Sequence, residues 1–558
     1  MGTEQKKNGG GFLIQGMILA VAGIITRLIG IAYRIPVNNI LGDEGQGFYG
    51  CAFSIYNIAL LLTSYSLPLA VSKLVSARIS KKEYKNALKI FKSALIFAAI
   101  SGALVGIIVF VFSDVIAGDI MSLKLSAYAL KVLAPGLFIV AIMGVIRGFF
   151  QGMGTMVPTA LSQILEQIVN AVVSIIGASY LIEIGKKAAE AKENASVPYA
   201  YGAAGGTLGT VSGALLGLLF LLLVLAMFYP RFKRKVRKDR TDNLESYGDV
   251  YKILLLTIAP VILSTAIYNI SETLDQGIFS NIMVEMKGYT EKEAAELLGM
   301  FTGKYNTLVN IPLAIANALG AALIPSLTAT VATGNRKQIN AKINMVIRFV
   351  MLIAIPCMFG FIVMADPILD LLYSGNIEIP ARMLQIGAVS VVFYCLSTVT
   401  NAILQGVNKM TTPVKHGAIS LVVHLAAVFA MLVWLDWGIY ALVVGNIIFS
   451  LCMCILNSMA LRNATRYHQE VKRTFLIPVG AAAIMAVITF GANYLMAKVA
   501  PKALATLFAL VIAVAVYGVS LLKLGALTPD EIVALPKGAS IYRLLQKLHL
   551  VSSDYDNE

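Results

Sequence analysis

Two arginines lie on the first long apolar run of the chain, where charged side chains are unusual. Arg27 and Arg34 belong to the segment Thr26–Pro36, near the end of a run that begins at Phe12. They are seven residues apart, or two helical turns, so an unbroken helix places both on one face. A cation within a membrane helix normally faces a water-filled cavity or an anionic partner. The pair therefore predicts a positively charged cavity. The alternative is that both arginines extend into lipid headgroups, which suits Arg34, close to a proline, better than Arg27.

Polar side chains at helical spacing mark three further apolar runs. Burying an unpaired charge in lipid is costly, which favours a cavity-lining role for the acids and the lysine in these runs. For single amides the alternative is hydrogen bonding between helices. The residues predicted to line the cavity and bind substrate are Arg27, Arg34, Glu166, Asn170, Lys304 and Asn310.

Two further carboxylates, Glu272 and Asp275, are three residues apart in the seventh apolar run. Two acids this close resist being charged together, so a bound Na⁺ or a shared proton would relieve their repulsion. The spacing therefore predicts an ion-coupling site. The alternative is that one of the acids pairs permanently with Lys304 or with an arginine.

The composition identifies the class of protein that must position these side chains. Of the 558 residues, 58% are hydrophobic and 13% are charged, and the mean hydropathy is +0.79. Repeated apolar runs of membrane-spanning length predict an all-α polytopic membrane protein with about 14 transmembrane helices. No zinc or disulfide spacing, phosphate-binding loop or other catalytic motif is visible in the sequence. We therefore expect a protein that is not an enzyme, with no metal or organic cofactor.

Positive charge is concentrated in the connections between the apolar runs. The net charge of +15 would suggest nucleic acid in a soluble protein, but here its distribution sets the membrane orientation and places both termini in the cytoplasm. The basic segment between the sixth and seventh runs is predicted to contact anionic lipids, and the chain is expected to be a monomer that binds no nucleic acid. The predicted divisions are an N-terminal six-helix lobe at 1–230, a basic cytoplasmic linker at 231–251, a C-terminal six-helix lobe at 252–461, two additional helices at 475–523 and a cytoplasmic tail at 524–558.

An internal repeat supports the two-lobe plan. Gln151 and Gly152 follow the fourth run, and Gln405 and Gly406 end the tenth, 254 residues later in each case. Because six spans separate them, the two repeats have the same orientation, so the lobes are parallel. Parallel repeats of this kind are typical of transporters that bind substrate between their halves. The four residues are predicted to form gate loops.

The segments Thr26–Pro36, Gly42–Tyr49, Ser66–Val75 and Arg147–Asn170 resemble the oligosaccharide-lipid flippases of the MOP superfamily, polysaccharide transporter type. Within that group the chain is most similar to the stage V sporulation protein B and MurJ-type lipid II flippases. The resemblance implies a flippase in the bacterial cytoplasmic membrane that moves an undecaprenyl-pyrophosphate-linked sugar, such as lipid II or a related precursor, to the outer leaflet by alternating access. A pyrophosphate requires cations, and sugars require amide and carboxylate partners.

The resemblance carries over unevenly to the individual residues. Arg27 matches the first arginine of the family's helix 1 pattern, whereas Arg34 falls one residue later than the second. The family's cavity arginine in helix 8 aligns with Thr307, and Lys304 lies about one turn earlier. The sodium site described for some family members uses carboxylates in helices 7 and 11. Here helix 7 offers Glu272 and Asp275, but helix 11 has no acid before Asp436, so coupling to Na⁺ or H⁺ stays open.

Two other functions fit parts of the pattern. A multidrug or cation antiporter of the related MATE family usually has twelve helices and a cavity rich in carboxylates rather than arginines. A membrane glycosyltransferase or ligase would need a large outer loop or an acidic metal motif, and neither appears in the sequence.

Overall fold

The protein is built from helices arranged in two compact units. The computed structural model describes residues 2–241, 243–332 and 334–526, and these residues contain no strand. The first unit extends to Lys304 and includes Phe429–Ile439; the second holds Tyr305–Val428 and the chain from Tyr440 onward. The predicted all-α polytopic class is therefore confirmed. From residue 527 onward, the predicted tail lies outside the described residues.

The helices of the first unit include three π-helical turns. These turns are Ile116–Ile120, Ile282–Met286 and Met300–Tyr305, the last of which ends at the boundary between the units. A short 3-10 turn covers Lys124–Ser126. The α-helices are α1 (Gly2–Thr63), α2 (Leu67–Ser80), α3 (Tyr84–Val111), α4 (Ser113–Val115), α5 (Ala127–Gly152), α6 (Val157–Lys192), α7 (Val197–Lys238), α8 (Tyr247–Asn281) and α9 (Glu291–Gly299).

The described residues of the second unit form seven α-helices and one π-helical turn, at Lys472–Leu476. The α-helices are α10 (Asn306–Ala332), α11 (Arg336–Leu372), α12 (Glu378–Gly406), α13 (Thr411–Val433), α14 (Tyr440–Thr465), α15 (Ile477–Met496) and α16 (Lys502–Lys523). Helices α15 and α16 pack against each other and against α11, and they cover the additional helices predicted at 475–523.

Helices cover every one of the apolar runs predicted to span the membrane. Among the described residues, eleven helical stretches are long and apolar enough to cross a bilayer. One of them, Val21–Ser80, joins the first two predicted spans because the helix continues through their connection. The total of 14 therefore stays a prediction.

Helix α1 is interrupted at Gly42, which has φ 65° and ψ 179°. This left-handed conformation is one that glycine adopts readily and that other residues rarely do. The break divides α1 into a first segment that carries the two arginines and a second segment that begins at Asp43. The connection between the first two spans is thus a kink within one helix rather than a loop.

The boundary between the two units does not coincide with the predicted lobe boundary at 231–251. Helix α8 packs against α1, α2 and α3, so it belongs to the first unit with them. Residues 231–238 continue α7 as a helix, and the described residues between 239 and 246 are non-helical. The division into two six-helix lobes stays a prediction.

Helices α6 and α7 touch through their backbones, which yields a stability prediction. A Cβ added at Gly205 would lie 2.1 Å from the carbonyl oxygen of Gly177, a distance that no side-chain rotation can relieve. We expect Gly205→Ala to lower the free energy of unfolding by about 1–3 kcal/mol or more, measured by thermal unfolding of the purified protein. Gly491→Ala is the matched control, because no atom lies within 4 Å of its added Cβ. Equal stability of the two variants would contradict the close approach.

Candidate functional site

The two arginines of α1 are exposed on a helix that runs without interruption from one to the other. Tyr33, between them, is buried, and the pair keeps the two-turn spacing expected from the sequence. Arg34 interacts electrostatically with Glu272 of α8, which is itself exposed. An accessible cation and an accessible carboxylate therefore lie near each other in the first unit, and a polyanion could compete for that cation.

Asn170 joins α6 to α1. Its side-chain nitrogen donates to the Tyr33 hydroxyl over 3.1 Å, and its oxygen accepts a bond from Ser174 at 2.9 Å. Only 6% of the residue is exposed. This arrangement agrees with the alternative of hydrogen bonding between helices, and the substrate contact predicted for Asn170 stays a prediction.

Glu166 forms an ion pair with Arg147. The guanidinium lies 2.7 Å from the carboxylate of Glu166 and also donates to the Ser162 hydroxyl over 3.0 Å. The pair links α5 to α6 within two apolar helices, so each charge offsets the cost of burying the other. A substrate would have to share the Glu166 carboxylate with Arg147. The predicted role of Glu166 in the cavity stays a prediction.

The predicted coupling residues lie one turn apart on α8. Glu272 is exposed whereas Asp275 is 3% exposed, and the two carboxylates interact electrostatically. The next residue, Gln276, is 1% exposed, and neither end of its amide has a hydrogen-bond partner. Its oxygen and the two acids offer chemistry suited to a hard cation. Among the described residues, however, no group of three His, Cys, Asp or Glu side chains is placed to hold a metal ion.

Lys304 is held by a partner that the sequence reasoning missed. Its ammonium group lies 2.7 Å from the carboxylate of Asp43, and the lysine side chain is 1% exposed. The two residues are far apart in the chain, and the only local signal was an acid placed directly after Gly42. The structure therefore does not present Lys304 as an accessible cation, unlike Arg27 and Arg34.

The remaining predicted residues lie at separate places in the two units. Asn310 is exposed on α10 in the second unit. Gly152 ends α5, where its added Cβ would meet Val75 of α2 at 2.8 Å, and Gly406 ends α12, where its carbonyl accepts a bond from Thr328 over 3.1 Å. Each predicted gate loop is thus anchored within its own unit. The gating role of Gln151, Gly152, Gln405 and Gly406 stays a prediction.

The non-helical part of the linker is docked onto the turn between α2 and α3. Arg78 contacts the carboxylate of Glu245 at 2.5 Å, and Asn86 bonds the linker backbone at residues 243 and 245. Asp239 accepts from the backbone N–H of Lys85 over 2.7 Å and so caps the start of α3. This segment is therefore a structured connection.

The docking of Asp239 depends on pH. Partial burial raises the pKa of Asp239, but hydrogen bonds from Thr241 and Lys85 outweigh it and hold this pKa below its ordinary value. A lowered carboxyl pKa stabilises the folded state above the ordinary value of about 4. As the pH falls from about 4 through the lower pKa of the folded state, Asp239 becomes protonated and this stabilising contribution is lost.

Long apolar helices carrying ionisable side chains define a polytopic membrane protein. The sequence matches the family model described as polysaccharide biosynthesis protein over residues 13–331, and the chain belongs to that family. A second model, MatE, matches residues 302–430.

Curated relatives and solved structures agree with this assignment. The chain is 28% identical to Lipid II flippase MurJ of Bacillus subtilis (strain 168) over 74% of its length and 76% of that protein. It is 24% identical to Stage V sporulation protein B of the same organism, over 86% and 91% of the two chains. A structure of Lipid II flippase MurJ in the inward closed conformation has a TM-score of 0.65 at 13% identity, covering 90% of this chain and 98% of that one. An inward-facing MATE transporter has a TM-score of 0.61 at 16% identity, over 80% and 99%.

Proposed function

We propose that this protein is a flippase that moves an undecaprenyl-pyrophosphate-linked sugar, of the lipid II type, across the bacterial cytoplasmic membrane. The observation that supports it most is the pair of exposed arginines on one face of a membrane helix, Arg27 and Arg34. A pyrophosphate consists of two linked, negatively charged phosphates, and two guanidinium groups can bind them through charge-assisted hydrogen bonds. The family membership and the flippase names of the relatives support the same substrate class.

In this mechanism the protein supplies binding and alternating access, with no chemical step. Arg27 and Arg34 hold the phosphates, and polar groups such as Asn310 bind sugar hydroxyls. Substrate phosphate competes with Glu272 for the positive charge of Arg34, so the carboxylate then binds another cation more readily. A proton or Na⁺ supplies that charge near Asp275, which links substrate binding to ion binding.

Complementation tests the flippase function. The full-length chain is expressed in a bacterium depleted of its lipid II flippase, and the arrival of lipid II at the outer leaflet is measured. We expect growth and translocation to be restored. Normal membrane insertion without either would contradict a lipid II substrate, and the same vesicles then test other undecaprenyl-linked sugars.

A multidrug or cation antiporter is the second candidate, because the MatE match and the MATE structure share this fold. Exposed arginines on α1 repel organic cations, which counts against this function. Efflux of a fluorescent organic cation from the same cells discriminates the two. Efflux without lipid translocation would favour the antiporter.

The basic end of α7 is proposed to contact anionic lipids on the cytoplasmic side, with both termini on that side and the chain acting as a monomer. Arg231, Arg234, Lys235 and Lys238 share one helical face and are exposed. Phe232, on another face, is buried against Phe149 with ring centroids 5.2 Å apart, so the segment is firmly held. Neither a soluble nucleic acid nor a protein partner is part of this proposal.

Neutralising that face is expected to reduce the binding of phosphatidylglycerol about tenfold or more, since each surface cation contributes about 1 kcal/mol to anionic lipid binding. The variant replaces Arg231, Arg234, Lys235 and Lys238 by glutamine, and native mass spectrometry measures the bound lipid. The matched control removes four exposed charges elsewhere, at Arg336, Lys337, Arg462 and Lys472. Equal losses in both variants would show that net charge alone is responsible.

A further inference from the structure

On both sides of the kink at Gly42, α1 meets α9 and the π-helical turn that follows it along a line of close contact. We call this contact, between residues 38–50 and 295–304, the α1–α9 seam. A Cβ added at Gly47 would lie 2.0 Å from the Ala295 carbonyl oxygen, and one at Gly299 would lie 1.8 Å from that of Asp43. Glycines thus let the two backbones touch along the seam.

One buried ion pair crosses this seam. The ammonium of Lys304 lies 2.7 Å from the carboxylate of Asp43, with 1% of the lysine side chain and 12% of the aspartate side chain exposed. Gly42, directly before Asp43, takes the non-helical conformation that begins the second segment of α1. Removing one member of such a pair leaves the other charge buried without its counter-ion, which strongly destabilises the closed arrangement.

The seam also buries polar groups at a cost. Asn38 is 1% exposed, and neither end of its amide has a hydrogen-bond partner. It lies directly against Gly303, whose added Cβ would be 2.0 Å from the Asn38 nitrogen. Water would satisfy this amide and both charges if the seam opened. The ion pair therefore holds together a contact that hydration favours opening, which is the energetic balance expected of a switch rather than of a permanent core.

We propose that Asp43 and Lys304 form the latch that keeps the α1–α9 seam closed, and that the seam opens when this pair separates. Lys304 is then a positioning residue that acts through Asp43, and it is not a ligand of the substrate phosphate. The proposal rests on the proposed flippase function, because alternating access needs a contact that opens in each cycle. With the N-terminus in the cytoplasm, the seam lies on the outer side, where the lipid is released.

The native thiol of Cys51 provides a test that needs no substrate. Cys51 is 0% exposed and follows Gly50, which abuts Thr302 across the seam. In the full-length chain with its other four cysteines replaced by alanine, a polar maleimide is reacted with the purified protein in detergent. We expect Asp43→Asn to raise the rate of Cys51 modification about tenfold or more over the parent chain.

Two further variants separate a latch from a general loss of packing. Glu245→Gln removes the acid of a partly buried ion pair outside the seam, with side chains 18% and 21% exposed, and it should change the rate less than twofold. Exchanging the charges, Asp43→Lys with Lys304→Asp, should return the rate toward that of the parent. Should Asp43→Asn fail to fold, Asp43→Glu, which displaces the carboxylate by one methylene, should give a smaller increase.

Three results would overturn the latch: an unchanged rate in Asp43→Asn, an equal increase in Glu245→Gln, or a charge exchange no slower than Asp43→Asn. The labelling assay tests the latch, and the lipid translocation assay tests the flippase function. Latch behaviour in a chain that translocates no lipid would refute the flippase function alone, whereas lipid translocation with unchanged labelling would refute the latch alone.

Discussion

The Arg27→Ala variant is expected to insert and fold like the wild type but to lose lipid-linked oligosaccharide transport. Arg27 is exposed on α1, two turns from Arg34 on the same face. A hydrogen bond to a charged group contributes about 1.5–3 kcal/mol, so losing it should reduce transport about 10- to 100-fold. Arg27→Lys keeps the charge but lacks the planar fork that matches phosphate oxygens, so it should retain part of the activity.

The measurement is leaflet translocation in proteoliposomes that contain equal amounts of each variant. Arg382→Ala is the matched control, because Arg382 is an exposed arginine that pairs with Glu378 within α12. It should transport like the wild type. Wild-type transport by Arg27→Ala would show that this arginine does not bind phosphate, whereas equal loss in the control would point to impaired folding or insertion.

The helices could be predicted from the sequence because apolar runs of membrane-spanning length have few structural solutions. The breaks within these helices could not be predicted from the sequence. The kink at Gly42 lies within a single helix, between two of the predicted spans. The four π-helical turns among the described residues were not predicted from the sequence either.

The positions of polar groups in the site were predictable, but their partners were less so. Pairing of Arg147 with a nearby acid follows from the short distance along the chain between α5 and α6. Lys304 and Asp43 are separated by most of the first unit, and a buried lysine has the same sequence signature whether it meets a phosphate or a carboxylate. Only the fold distinguishes the accessible cations of α1 from the buried one.

Neutralising both acids of α8 is expected to make transport insensitive to an imposed ion gradient while leaving substrate binding largely intact. Glu272 and Asp275 interact electrostatically, and Glu272 also interacts with Arg34. Two neighbouring carboxylates resist simultaneous ionisation, so a proton or Na⁺ binds more readily once substrate phosphate has engaged the arginine. In Glu272→Gln with Asp275→Asn this cation site is lost, so an inward Na⁺ or proton gradient should no longer accelerate translocation.

The experiment imposes each gradient separately on proteoliposomes and compares the rates with and without it. The control, Asp366→Asn with Asp370→Asn, neutralises two exposed acids one turn apart on α11 and should keep the full response. The alternative is that Glu272 is a fixed partner of Arg34. In that case the double variant keeps the wild-type gradient response, and these carboxylates organise the cavity without coupling it to an ion. A response to only one gradient in the wild type, lost in the double variant, would identify the coupling ion.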